Sequence, residues 1–418
     1  MAVSARCWGL VGVLAVLSVV VGCAPAQHVV ISVDRPDAPA DQPIHITVSG
    51  LQQGQAVTIA ASTVDRTGAK WASSAQFTAD ARGQVDLADA QPTSSPDAYQ
   101  HPAAMGLFWS MGAASGDRSA IYRGGASEAV DLTVTAGSST LATAKVIRRF
   151  GTLSPRQTTL AAEGFLGAYW TPPKNVTKRP GILLIGGSDG GLPGGAFLAE
   201  QGYPTLAIAY FKAPGLPTSL NAIPLEYFTR ALAWLAAQPE VDSAHVLAYG
   251  VSRGSEAALL LGVNFPNLVH GVVALVPSNV AICGFPGCAG PAWTLKGLPV
   301  PYTRQFDIPL PTDVPAAVIP VERIQGPVFL DCGGADTTWV SCSYAAAIMT
   351  RLDRANGFPH TLLKYPDAGH GVGSVYPYLP LSSPVGLKLQ QLDGATPEAN
   401  PRARAEVWPQ LLAFLGSV

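Results

Sequence analysis

The chain has 418 residues, 26 Lys and Arg against 28 Asp and Glu, and a formal net charge of −2. Its charged fraction of 13% is about half the usual share, while 48% of residues are hydrophobic, which excludes an intrinsically disordered chain. No run of Lys or Arg occurs, so the electrostatic footprint of a nucleic-acid-binding protein is missing.

Residues 1–22 read as an export signal. "MAVSAR" carries one cation, and the apolar stretch "CWGLVGVLAVLSVVVG" after it is shorter than the roughly 20 residues a spanning helix needs. It closes on Val20-Val21-Gly22-Cys23, the layout of a bacterial lipobox, in which Cys23 is lipidated and becomes the first mature residue. The alternative is an ordinary signal peptide cut after "CAPA". The lipobox reading predicts an exported cell-envelope lipoprotein, held at the membrane through a lipid on Cys23.

From 28 to 135 the chain reads as short strands. "PIHITVSGL", "QAVTIAAST", "AKWASSAQFTAD", "GQVDLAD" and "EAVDLTVTAG" alternate apolar with polar residues, and Gly, Asp and Pro punctuate them. This is the pattern of a β-sandwich. It contains no helix-period run and no clustered acid, base and nucleophile.

From 150 to 418 the pattern changes. "GILLIGG", "PTLAIAY", "HVLAYG", "GVVALVP", "GPVFLD" and "TLLKYP" are continuous apolar runs, suited to strands buried on both faces of a mostly parallel sheet. Between them "IPLEYFTRALAWLAAQ" repeats Leu225, Phe228, Leu232 and Leu235 at helical spacing, and "AEVWPQLLAFLG" ends the chain on a helix. Strand alternating with helix predicts an α/β sheet with helices on both faces. The Pro-rich stretch from Lys296 to Pro320 reads as an excursion near the top of that sheet, either a lid over an acyl site, with Trp293 beside it, or a structural loop.

The chemistry concentrates in this second half. Gly250-Val251-Ser252-Arg253-Gly254 is G-x-S-x-G between a strand and a helix, the nucleophile-elbow pattern, with Ser252 at the apex. A serine hydroxyl needs a base. Of the seven histidines, His370 in "YPDAGHGVG" follows a strand in a glycine-rich loop at the sheet's carboxyl end. Asp336 in "GPVFLDCGGADTTW" is the candidate acid, preferred to Asp331, which still belongs to the strand, and to Asp367. The order Ser, Asp, His is that of α/β-hydrolases.

The oxyanion donors are expected from the backbone N–H of Arg253 and from that of Ser188 or Asp189 in "GGSDGGLPGG". The rival for that loop, a phosphate cradle, lacks GxGxxG or GKS/GKT. Cys283 with Cys288 and Cys332 with Cys342 form two close pairs, expected as disulfides in an oxidising compartment. The second would rigidify the loop carrying Asp336. Zinc is the rival, but neither pair has CxxC spacing and no histidine lies near, so no metal is expected.

Several of these segments resemble one family. "WASSAQFTADARGQVDL" and "MGLFWSM" in the first half, then "GGLPGGAFLAEQGYPTLAIAYF", "GVSRGSE", "GADTTW", "YPDAGH" and "NPRARAEVWPQLLAFL" in order, are similar to the acyl-CoA thioesterase and bile acid-CoA:amino acid N-acyltransferase family. The resemblance implies an N-terminal immunoglobulin-like β-sandwich followed by an α/β-hydrolase domain. It puts the nucleophile, acid and base on Ser252, Asp336 and His370, and marks Glu256 as a structural residue of the elbow helix. Cys nucleophiles in that family tend to transfer the acyl group to an amine and Ser nucleophiles to hydrolyse, so Ser252 favours hydrolysis. Two positions depart from the family: Ala335 stands where a second Asp is frequent, and Asp189 where Gly is usual.

The expected activity is therefore cofactor-free hydrolysis of fatty acyl-CoA, or a related acyl thioester or ester, through an acyl-serine intermediate. The alternatives are an exported carboxylesterase or lipase-like esterase, an acyl-CoA:amino acid N-acyltransferase, and a non-catalytic envelope lipoprotein. Acyl-CoA is a cytoplasmic metabolite, which sits uneasily with an export signal.

Overall fold

The computed structural model describes residues 28–117, 119–173, 178–355, 357–380 and 394–418. The signal segment 1–22 and Cys23 lie outside the described residues.

The first unit is a β-sandwich. A three-stranded sheet joins β1 (Val30–Val33), β3 (Ile46–Ser49) and β6 (Val85–Asp86). It faces a six-stranded sheet whose order is β2 (Asp37–Pro39), β9 (Ser139–Arg149), β8 (Ser127–Ala136), β4 (Ala56–Val64), β5 (Lys70–Thr78) and β7 (Gly112–Ala113). In β5 burial alternates residue by residue: Trp71, Ser73, Ala75 and Phe77 point inward. The one polar member, Ser73, donates its hydroxyl to Leu107 O.

Two details depart from the sequence reading. The sandwich runs on past 135, because β9 pairs along the whole of β8 around a turn at Gly137; its mixed pattern "STLATAKVIRR" hides the period. A four-residue helix, α1 (Gly106–Trp109), interrupts the strands, and all its residues are buried in the sandwich core.

The second unit is built on an eight-stranded sheet of order β10 (Arg156–Thr158), β11 (Leu166–Trp170), β13 (Thr205–Ala209), β12 (Arg179–Ile185), β15 (Val241–Val251), β16 (Gly271–Leu275), β19 (Val328–Gly333) and β20 (His360–Tyr365). All six expected apolar runs are strands of its parallel part. Its antiparallel edge, β10 (RQT) and β11 (LGAYW), gives no continuous apolar run to read, because the strands are short, β10 is polar and β11 carries a glycine at its second position.

Helices cover both faces. On one, α3 (Leu225–Ala236), α4 (Arg253–Asn264) and α5 (Ser341–Ala355) share a core with the sheet; Leu225, Phe228, Leu232 and Leu235 are all buried there. On the other, α2 (Ala196–Glu200) and α6 (Ala399–Ser417) pack through Leu198, Val407, Trp408 and Leu411. The Pro-rich excursion bridges back to the chain after β16, at Val280 with Val318 and Ile282 with Thr303. A minor sheet of β14 (Ile223–Pro224), β17 (Trp293–Leu295) and β18 (Leu298–Pro299) lies beside it.

The two units meet along α6. Glu398, just before it, accepts hydrogen bonds from the backbone N–H groups of Gln100 and His101. Arg402 donates to His101 O and Pro102 O, and Trp408 Nε1 donates to Asp41 Oδ2.

Candidate active site

Ser252 sits where β15 turns into α4 without a loop. Its φ of 55° and ψ of −121° are strained for a residue with a Cβ. The chain tolerates the corner because its neighbours are glycines. A Cβ on Gly250 would lie 2.0 Å from Gly254 O, and one on Gly254 2.3 Å from Ile185 O. The Ser252 N–H donates to Leu275 O, tying the apex to β16.

His370 lies in the loop after β20, at the start of a short 3-10 turn over His370–Gly373. Its Nδ1 is 2.8 Å from Asp336 Oδ2 and its Nε2 is 2.9 Å from Ser252 Oγ. A carboxylate only accepts, so Asp336 holds the ring proton on Nδ1 and leaves Nε2 to accept from the serine hydroxyl. The three side chains picked out in the sequence thus come together at one point, with Ser252 only 8% exposed.

The acid is held by its own loop. Asp336 Oδ1 accepts from the N–H groups of Thr338 and Trp339. The Cys332–Cys342 disulfide closes that loop, and Cys283–Cys288 closes another; both expected pairs are bonded. The acid and base loops pack directly on one another, since a Cβ on Gly333 would lie 2.4 Å from the carbonyl oxygens of Ala368 and Gly369. Of the rejected acids, Asp367 is exposed. Asp331 is fully buried in β19; its Oδ1 accepts from Val276 N–H, and burial pushes its carboxyl up to about 7, opposed by that hydrogen bond and by His370 and Arg404.

The loop expected to supply an oxyanion donor lies beside Ser252. The loop after β12 passes over the nucleophile, so that a Cβ on Gly187 would approach Ser252 Cβ to 3.3 Å. Asp189, the departure that set a carboxylate in this loop, is exposed. Tyr210 Oη–H is shared between Gly186 O and Gly187 O.

Behind the elbow, Glu256 is fully buried and paired with Arg253 Nε at 3.2 Å. Burial pushes its carboxyl up, and the guanidinium opposes that shift. Trp293 donates Nε1–H to Glu256 Oε1 and is itself buried, so it is a core residue and not part of a lid.

Four contributors escape the sequence reading. Tyr210 and Trp339 lie at the ends of the segments "GGLPGGAFLAEQGYPTLAIAYF" and "GADTTW", but nothing in those segments assigns them a contact; Trp339 donates to Val276 O and sets its ring edge-on to His370 at 5.5 Å. Asn400 Oδ1 accepts from Gly369 N–H, and Arg404 donates twice to Gly371 O, so α6 anchors the base loop from behind. Those two lie in "NPRARAEVW", legible as a motif but not as an anchor.

A mostly parallel sheet with helices on both faces, a serine at the strand-to-helix corner and a histidine loop at the sheet's carboxyl end define an α/β-hydrolase, here joined to a β-sandwich. The chain belongs to the acyl-CoA thioester hydrolase/BAAT family. The family's N-terminal region matches residues 41–159, and its C-terminal region matches 223–286 and 293–417. Acyl-coenzyme A thioesterase 1 of Rattus norvegicus is 30% identical over 90% of this chain and 93% of its own. Acyl-coenzyme A thioesterase 6 of Homo sapiens is 29% identical with the same coverage, and Acyl-coenzyme A thioesterase 2, mitochondrial, of Homo sapiens is 29% identical over 90% of this chain and 81% of its own.

Proposed function

We propose that this protein is a serine acyl hydrolase that cleaves acyl thioesters or esters through an acyl-Ser252 intermediate. The observation that carries the reading is His370 standing in hydrogen-bond reach of both Ser252 Oγ and Asp336. The thioesterase names of its relatives favour a thioester, acyl-CoA among them.

In the first half-reaction Ser252 Oγ attacks the acyl carbonyl as its proton passes to His370 Nε2. Asp336 stabilises the imidazolium that forms. The tetrahedral oxyanion is received by the N–H of Arg253 and that of Ser188 or Asp189. Collapse expels the thiolate or alkoxide, which takes the proton from His370, and leaves acyl-Ser252. A water then repeats the cycle with His370 as base, releasing the acid and the free serine.

A second reading concerns the leaving group. The two disulfides suit an oxidising compartment, as do the export signal and lipid anchor read at Cys23. In that setting the substrate is an acyl ester or thioester other than cytoplasmic acyl-CoA. The test is hydrolysis of a chain-length series, as CoA thioesters and as p-nitrophenyl esters, by the protein and by Ser252→Ala. Thioester turnover lost in the variant supports the first reading, and ester turnover alone supports the second. An amide product formed in the presence of an amine would mark an acyltransferase. No turnover of either series would leave the non-catalytic lipoprotein.

A further inference from the structure

The oxyanion side of Ser252 rests on a buried polar unit that the reaction itself does not require. Glu256 lies in the first turn of α4 with no exposed surface. Its Oε1 accepts from Trp293 Nε1–H at 2.6 Å and from Ile282 N–H at 2.9 Å, and its Oε2 faces Arg253 Nε. Arg253 in turn donates through Nη2 to Ile282 O at 3.0 Å and Cys283 O at 3.1 Å. The side chain of the residue after the nucleophile is thus turned inward and pinned.

The same unit reaches the other donor. The Trp293 ring stands 5.7 Å from that of Tyr210, and Tyr210 is the residue whose hydroxyl grips Gly186 O and Gly187 O. A buried ion pair is seldom the most stable filling for a core, since apolar residues of like volume serve as well or better. Its placement here has a geometric reason. Arg253 and the loop that begins at Gly186 come from different strands and must stay fixed relative to each other by fractions of an ångström for two N–H groups to meet one oxygen.

We infer that Glu256 is a positioning residue that holds the Arg253 N–H and the 186–189 loop in register around Ser252, acting through Arg253 on one side and through Trp293 and Tyr210 on the other. This rests on the serine acyl hydrolase reading above. Because the unit serves the oxyanion, it acts on the transition state more than on the bound substrate.

The test uses the full chain carrying Glu256→Gln, Tyr210→Phe and both together. It reads kcat and KM on a p-nitrophenyl ester and the inhibition constant of an alkyl trifluoromethyl ketone, whose adduct with serine carries the oxyanion. Glu256→Gln is expected to lower kcat by about 10- to 100-fold and to weaken the ketone by a similar factor, with KM within about twofold. Tyr210→Phe should lower the same two quantities by less, and the double variant should lose less than the product of the single losses.

Unchanged kcat and ketone affinity in either single variant would overturn the inference, as would a loss confined to KM or fully multiplicative losses. Should Glu256→Gln fail to fold, Tyr210→Phe, which removes one hydroxyl, decides alone by the same criteria. Activity that survives Ser252→Ala would instead sink the underlying serine mechanism, whatever these variants do.

Discussion

The two sides of Ser252 are built by different means. On the acid side, Asp336 and Trp339 lie within one short loop that the Cys332–Cys342 bridge closes from strand to helix, and the carboxylate is fixed by the N–H groups of the residues that follow it. On the side proposed to receive the oxyanion, the elements come from separate strands and are joined by a buried carboxylate, a guanidinium and two aromatic rings. The first arrangement is local and covalently closed, and the second depends on the packed core. Damage to the acid side should therefore stay near its cause, while damage to the oxyanion side should spread into folding.

The sharpest break of this contrast is Asp336→Asn. It keeps the loop but removes the carboxylate that fixes the ring proton, and is expected to lower kcat by about 10⁴-fold with the melting temperature nearly unchanged. Parallel kinetics and thermal melts decide it; a large fall in stability would show that the loop is not self-sufficient.

Next in size is a pH effect of Asp331. Its folded carboxyl, raised to about 7, stays protonated where the unfolded one, near the ordinary carboxylate value, has already ionised. The folded state then binds more protons, so stability contributed by this group is complete below the unfolded value and falls as pH rises, by up to about 1.4 kcal/mol per pH unit, until pH passes about 7. Urea melts from pH 4 to 8 should show this slope in the native chain and a flatter one in Asp331→Asn.

Smaller still is the disulfide of the acid loop. Its partners are ten residues apart, and closing such a loop is worth about 2.5–3 kcal/mol on a chain-entropy account. Cys332→Ser with Cys342→Ser should lower stability by that order in a chemical melt. Its kcat should fall more than that of the paired Cys283 and Cys288 variants if the bridge serves Asp336. The smallest expected effect is Asn400→Ala, which leaves the buried Gly369 N–H without its acceptor at a cost of about 1–3 kcal/mol. Faster exchange of that amide and a modest drop in kcat would mark it as the anchor of the base loop.

What could be read from the sequence follows the same division. Ser252, Asp336 and His370 each announce themselves through a few adjacent residues: glycines two positions either side, an acid just past a strand end, a histidine in a glycine-rich turn. The cysteines do the same by proximity. Tyr210, Trp293 and Asn400 do not. Their partners lie 24, 37 and 31 residues away, and no residue adjacent to any of the three gives a sign that its polar atom is engaged. The sheet tells the same story. Strands buried on both faces stand out as continuous apolar runs, whereas β9, β10 and β11 take their place by pairing with neighbours, and pairing leaves little trace in composition.

One consequence lies in α6. Glu398 and Arg402 grip the sandwich, while Asn400 and Arg404 grip the histidine loop, so the two sets of contacts interleave within about two turns. The sandwich is thus mechanically in series with the loop that carries His370. A chain shortened to the second unit would lose the partners of Glu398, Arg402 and Trp408, and the helix that should steady His370 would be free to roll. The β-sandwich is better regarded as the far abutment of the arch that carries His370 than as an appendage to it.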